Sequence, residues 1–90
     1  MYAVVTQATI HDREKARTIL NEQGVPRMKQ SPGFVAGTWV SLDESHGRGI
    51  VVYESEDAAR AAAEMIRANS PAGDAVTVDS VEVGEVVARA

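Results

Sequence analysis

The sequence predicts an α+β fold of βαββαβ order. Three observations carry this. Four segments rich in β-branched residues follow the strand period. Two segments between them set small and aliphatic residues at helical spacing behind an Asp or a Ser that can cap. Gly, Pro, Asn and Ser cluster at the junctions. At ninety residues the chain, 1–90, is the size of one domain, which runs from about 50 to 250 residues.

The first strand spans 2–10, with Tyr2, Val4, Thr6, Ala8 and Ile10 on one face and Ala3, Val5, Gln7 and Thr9 on the other. Asp12 then caps a helix whose apolar positions are Ala16, Ile19 and Leu20. Gly24 is its expected stop, with Pro26 close behind. Ser31-Pro32-Gly33 turns into a second strand over 34–43, and a third runs from 49 to 54. A three-residue loop at Ser45-His46-Gly47, with Gly47 in the left-handed conformation, pairs Leu42 with Ile50, Val40 with Val52 and Trp39 with Tyr53. Ser55 caps a second helix over 56–68, rich in alanine, which approaches a sheet closely. The last strand covers 75–88, where the step from Val78 to Val81 breaks alternation and predicts a bulge near Ser80.

Two strand–helix–strand units joined by a hairpin give a ferredoxin-like four-stranded antiparallel sheet with both helices on one side. The other side is also apolar: Val4 is matched by Val5, Val40 by Trp39 and Val86 by Val87. An antiparallel sheet with one wet face alternates more cleanly. A second copy of the chain, packed sheet to sheet, is the expected cover.

Composition excludes several classes. There is no cysteine, hence no disulfide or thiolate chemistry, and a cytoplasmic location is expected. The start, Met1-Tyr2-Ala3-Val4-Val5, has no basic segment and predicts no signal peptide. No apolar run approaches the ~20 residues of a membrane span. The net charge of −4, with no basic stripe, argues against nucleic acid as a partner. His11 and His46 lack ligand spacing, so no metal site is expected.

Ser31-Pro32-Gly33-Phe34, Leu42-Asp43, Gly47-Arg48-Gly49 and Tyr53-Glu54-Ser55-Glu56, in that order and spacing, resemble the antibiotic-biosynthesis-monooxygenase-like domains of the dimeric α/β-barrel superfamily. The resemblance covers about residues 2–88. It implies a homodimer, two sheets closed into a barrel, and a cleft between sheet and helices in each subunit. Some members oxidise aromatic polyketides with oxygen and neither metal nor flavin, so no cofactor is implied. Others degrade haem with an Asn, a Trp and a helical His ligand. Neither helix interior here contains a His, and Trp39 is on a strand, so haem degradation is not expected.

Four side chains are candidate site residues. Trp39 and Tyr53 form either an aromatic wall for a planar ligand or filling between subunits. His11, between the first strand and helix, is a candidate general base or a solvated loop residue. Gln7 either lines a polar cleft or bonds across the dimer. The resulting expectation is a homodimer binding a small aromatic or lipophilic molecule, with His11 and Tyr53 as catalytic candidates for cofactor-independent monooxygenation. A non-catalytic dimerisation or ligand-sensing module is the alternative.

Overall fold

A computed structural model describes all residues, 1–90. Strands β1 (Tyr2–Ile10), β2 (Phe34–Ser41), β3 (His46–Tyr53) and β4 (Val76–Glu85) form one antiparallel sheet in the order β2-β3-β1-β4. The first helical stretch is continuous but compound: α1 (Arg13–Ile19), a π-turn over Leu20–Gly24, then α2 (Val25–Lys29). The second is α3 (Glu56–Ala68), followed by a short 3₁₀ turn at Gly73–Ala75. No helix is long and apolar enough to cross a membrane.

Both expected caps form. The Asp12 carboxylate accepts from the Lys15 N–H at 3.1 Å, and the Ser55 hydroxyl from the Ala58 N–H at 3.2 Å. The expected stop at Gly24 does not occur. Its backbone is helical, and the Val25 N–H reaches back five residues to the Leu20 carbonyl. Proline in a regular helix loses a hydrogen bond and strikes the carbonyl four residues earlier. Here the wider turn just before Pro26 relieves that clash and lets the helix run on. Gly24 serves close approach instead: a Cβ there would lie 2.3 Å from the Pro71 carbonyl oxygen.

The core lies on one face of the sheet. Val4, Val51 and Tyr53 pack there against Ala59, Ala62, Ala63 and Ile66 of α3 and Met28 of α2. The α3 positions follow the three- and four-residue spacing of one helix face. A smaller cluster joins Ala16 of α1 to Ala72 and Ala75, with Ile10 and Val76 beneath. Gly33 enters β2 at φ +78°, a conformation that costs glycine nothing. Its carbonyl accepts the Glu54 N–H at 2.9 Å.

Two registers differ from expectation. In the β2–β3 hairpin Trp39 is opposite Gly49 and Val40 opposite Arg48, so the loop is Asp43-Glu44-Ser45. Asp43 fixes it: its Oδ1 accepts from the N–H groups of Ser45 and His46 at 2.8 Å each and meets His46 Nδ1 at 2.9 Å. Those contacts, the Ser45 N–H first, hold its carboxyl below the usual carboxylate range. Gly47, freed from the turn, is a buried strand residue. In β4, Ser80 pairs with Gln7 and Val78 with Ala8, which leaves Asp79 as the bulge next to the predicted position. The strand ends at Glu85 rather than 88 because its partner β1 runs out at Tyr2.

Candidate functional site

A cleft of about 240 Å³ opens between the sheet and α1. Its origin is the inward face of β3. Four inward positions alternate there: Gly47, Gly49, Val51 and Tyr53. Val51 and Tyr53 fill the core, whereas Gly47 and Gly49 present no side chain, and the space they leave is the cleft floor.

Trp39 occupies part of that floor. A Cβ on Gly49 would meet its Cδ1 at 2.8 Å, and one on Gly37 would meet its Cη2 at 2.7 Å. The indole therefore lies along the sheet, its pyrrole end over one glycine and its benzo end over the other. Thr6, Ala8, Ile10, Val76 and Val78 complete the floor. Ala16 and Leu20 of α1 face it, and Pro71 and Ala72 also line it. The π-turn begins at Leu20, so the irregular part of the helix borders the cleft, a frequent location for such turns.

The polar lining is cationic. Arg13 and Arg17, one helical turn apart on α1, line the cleft with Asn21, whose amide donates to the Arg17 carbonyl at 2.8 Å. Arg48 also borders it. That residue belongs to the outward register of β3, and its guanidinium donates to the Gly47 carbonyl at 3.0 Å. No carboxylate and no histidine lines the cleft.

Of the four candidate residues, Trp39 alone lines the cleft. Tyr53 is on the same face, but the four-residue shift in the hairpin sets Trp39 against Gly49 instead, and the expected Trp39–Tyr53 pair does not form. Tyr53 is fully buried in the core, edge-on to Phe34 with ring centroids 6.1 Å apart. Its hydroxyl is 2.8 Å from Ser31 Oγ, which donates in turn to the Met28 carbonyl. Burial pushes the Tyr53 hydroxyl above its ordinary pKa. His11 is exposed, with Nε2 2.6 Å from Thr77 Oγ1. Gln7 is exposed on the outward face between Arg48 and Ser80.

The residues that sequence reasoning passed over are Gly47, Gly49, Arg13 and Arg17. Gly47-Arg48-Gly49 reads as hairpin punctuation. Its other meaning, two glycines at strand spacing on a face that should be filled, was the available signal.

No protein-family model matches the chain, and no characterised protein matches it in sequence. Solved structures do match. SnoaB, a cofactor-independent oxygenase from Streptomyces nogalater, aligns over 99% of this chain and 93% of its own, with TM-score 0.64 and 21% identity. MhuD, a heme-degrader from Mycobacterium tuberculosis determined with two hemes bound in its active site, aligns over 97% and 98%, with TM-score 0.53 and 24% identity. The chain shares the fold of these two proteins. This is the ferredoxin-like α+β architecture predicted from the order of its strands and helices.

Proposed function

We propose that this chain is a cytoplasmic, homodimeric small-molecule-binding domain whose cleft takes a small aromatic or lipophilic ligand against Trp39. The observation that carries this reading is the floor of the cleft: Gly47 and Gly49 are consecutive inward positions on a central strand, and the Trp39 indole lies over Gly49 at the edge of the open space. Protein interiors are close-packed, so an apolar cleft left open beside the indole adds nothing to stability. Small-molecule sites usually measure about 300–1,000 Å³, so a cleft of about 240 Å³ suits a ligand of one or two rings. Trp39 is the single tryptophan, so one indole N–H resonance reports on the cleft. Titration with 2-naphthoate should shift that resonance saturably, while the resonances of exposed β4 residues stay in place. An unmoved indole signal would count against the cleft as a binding site.

The outward face of the sheet supports the dimer. Val5 and Ile50 are cross-strand partners there, 37% and 48% exposed, and Val40 is 47% exposed. Fully burying each contributes about 1.5–3 kcal/mol, against an association cost of about 4–15 kcal/mol. These three, already half covered, are not sufficient alone. A stable pair must also cover the half-buried neighbours Ala3 and Ala36 on the same face. Ile50→Glu should convert a particle of twice the chain mass into one of single mass, with an unchanged circular dichroism spectrum. A wild-type chain sedimenting as a monomer at micromolar concentration would remove the dimer.

A catalytic reading is favoured by the likeness to SnoaB. In cofactor-independent monooxygenation the substrate loses a proton and supplies the electrons; one oxygen atom enters its carbon as a carbonyl and the other leaves as water. With no carboxylate or imidazole in the cleft, the substrate must be acidic enough to ionise to solvent. Oxygen uptake with electron-rich hydroquinones and anthrone-like compounds tests this. Uptake equal to the buffer rate leaves the ligand-binding, non-catalytic reading.

A further inference from the structure

We propose that the ligand of this cleft is an aromatic acid whose carboxylate is held by Arg13 and Arg17. The inference rests on the ligand-binding reading above and names its chemical class. It begins from how the chain uses its arginines. Arg60 and Arg67 are paired with Glu56 and Glu64. Arg27 donates to the Asn69 carbonyl, Arg48 to that of Gly47, and Arg89 to Met1 Sδ. Arg13 and Arg17 are the two whose guanidinium groups have no partner within the chain, and both line the cleft.

Acidic residues outnumber basic ones by thirteen to nine, so partners are not scarce. Glu14 and Asp12 are close in sequence. Asp12 is committed to its cap and Lys15 to Asp74 at 3.0 Å. The carboxylates adjoining α1 are thus placed away from the cleft, and none lines it. Four residues apart on one helix, the two guanidinium groups are neighbours at its rim. Each is a planar donor fork suited to a carboxylate. Below them the floor is apolar, with the indole at one side. An apolar ring carrying one ionised acid group satisfies both halves of the site; a neutral ring leaves the arginines unused, and a dianion of mainly polar surface leaves the floor unused.

The test is a calorimetric titration with 2-naphthoate and its neutral counterpart 2-naphthamide, followed in parallel through the Trp39 indole resonance. The acid should bind about tenfold more tightly than the amide, from two rim contacts of up to about fivefold each. The advantage should shrink with added salt. Arg13→Gln with Arg17→Gln should bring the affinity for the acid down to that for the amide, and both positions are exposed, so the fold is not at risk. Equal affinities for acid and amide, both shifting Trp39, would overturn the carboxylate assignment and leave the cleft reading standing. Absence of binding by either probe would overturn both. An acid preference that survives the double variant would overturn the role of these arginines.

Discussion

Tyr53→Ala should destabilise the chain by about 3–5 kcal/mol, the range for truncating a buried aromatic. Native domains have only about 5–15 kcal/mol in total, so this variant should be largely unfolded at moderate urea concentrations. The reason is position. Tyr53 is fully buried where α2, α3 and β3 meet, and its ring supports Phe34 edge-on. Ser31 uses its proton on the Met28 carbonyl, so the Tyr53 hydroxyl is the donor to Ser31. That relay ties the end of α2 to the sheet. Tyr53→Phe keeps the ring and removes one donor, so it should cost about 1 kcal/mol. The two variants separate packing from hydrogen bonding in a denaturation series, and a Phe variant as damaging as Ala would refute the packing account.

The same residue sets an alkaline limit. Burial raises the folded pKa of Tyr53, whereas an unfolded tyrosine ionises near about 10. The unfolded chain thus loses its proton first, and stability falls as pH rises from about 10 through the folded value. Tyr53→Phe should lack this component, measurable as a flatter loss of stability above pH of about 10.

Gly24→Ala should destabilise, and Gly84→Ala should not. Alanine improves an exposed helix interior by about 1 kcal/mol over glycine, which acts in favour of the first change. Against it stands a Cβ 2.3 Å from the Pro71 carbonyl oxygen and 3.0 Å from its carbon. Backbone cannot rotate away, so the contact belongs at the upper end of the ~1–3 kcal/mol cost of overpacking. The clash wins by about 2 kcal/mol. Because Pro71 lines the cleft, 2-naphthoate binding should weaken with it. At Gly84 a Cβ meets nothing within 4 Å, and removing a strand glycine should stabilise by about 0.5–1 kcal/mol. Thermal melts of the two variants, moving in opposite directions, check both; a stabilised Gly24→Ala would show that the loop at 70–73 yields freely.

Element order was readable because each element has local causes: caps at Asp12 and Ser55, alanines at helical spacing in α3, valines at strand spacing in β4. The bulge beside Ser80 was equally local, a break in alternation. The hairpin register was not. It depends on which of two turn-forming residues closes the loop, and the Asp43 carboxylate binding two N–H groups outweighs the preference of Gly47 for a left-handed turn. A slip of four keeps every side chain on its predicted face, so face assignment survived while the Trp39–Tyr53 pairing did not. The cleft depended on that register, which is why Trp39 was found and its glycine floor was not. Gln7 and His11 carried chemistry by residue type alone, and the sheet directs one outward and leaves the other at a strand end.

The five-residue reach from Val25 to Leu20 means the first helix contains one residue more than regular winding over that distance requires. Each helical residue advances the chain by about 100° around the axis. Without the surplus, everything beyond it would be rotated by that angle, and Met28, wholly enclosed among α3 and the strands, would swing toward water. The extra residue is a phase corrector: it allows one helix to aim arginines at an open rim in its first half and a thioether at the protein interior in its second.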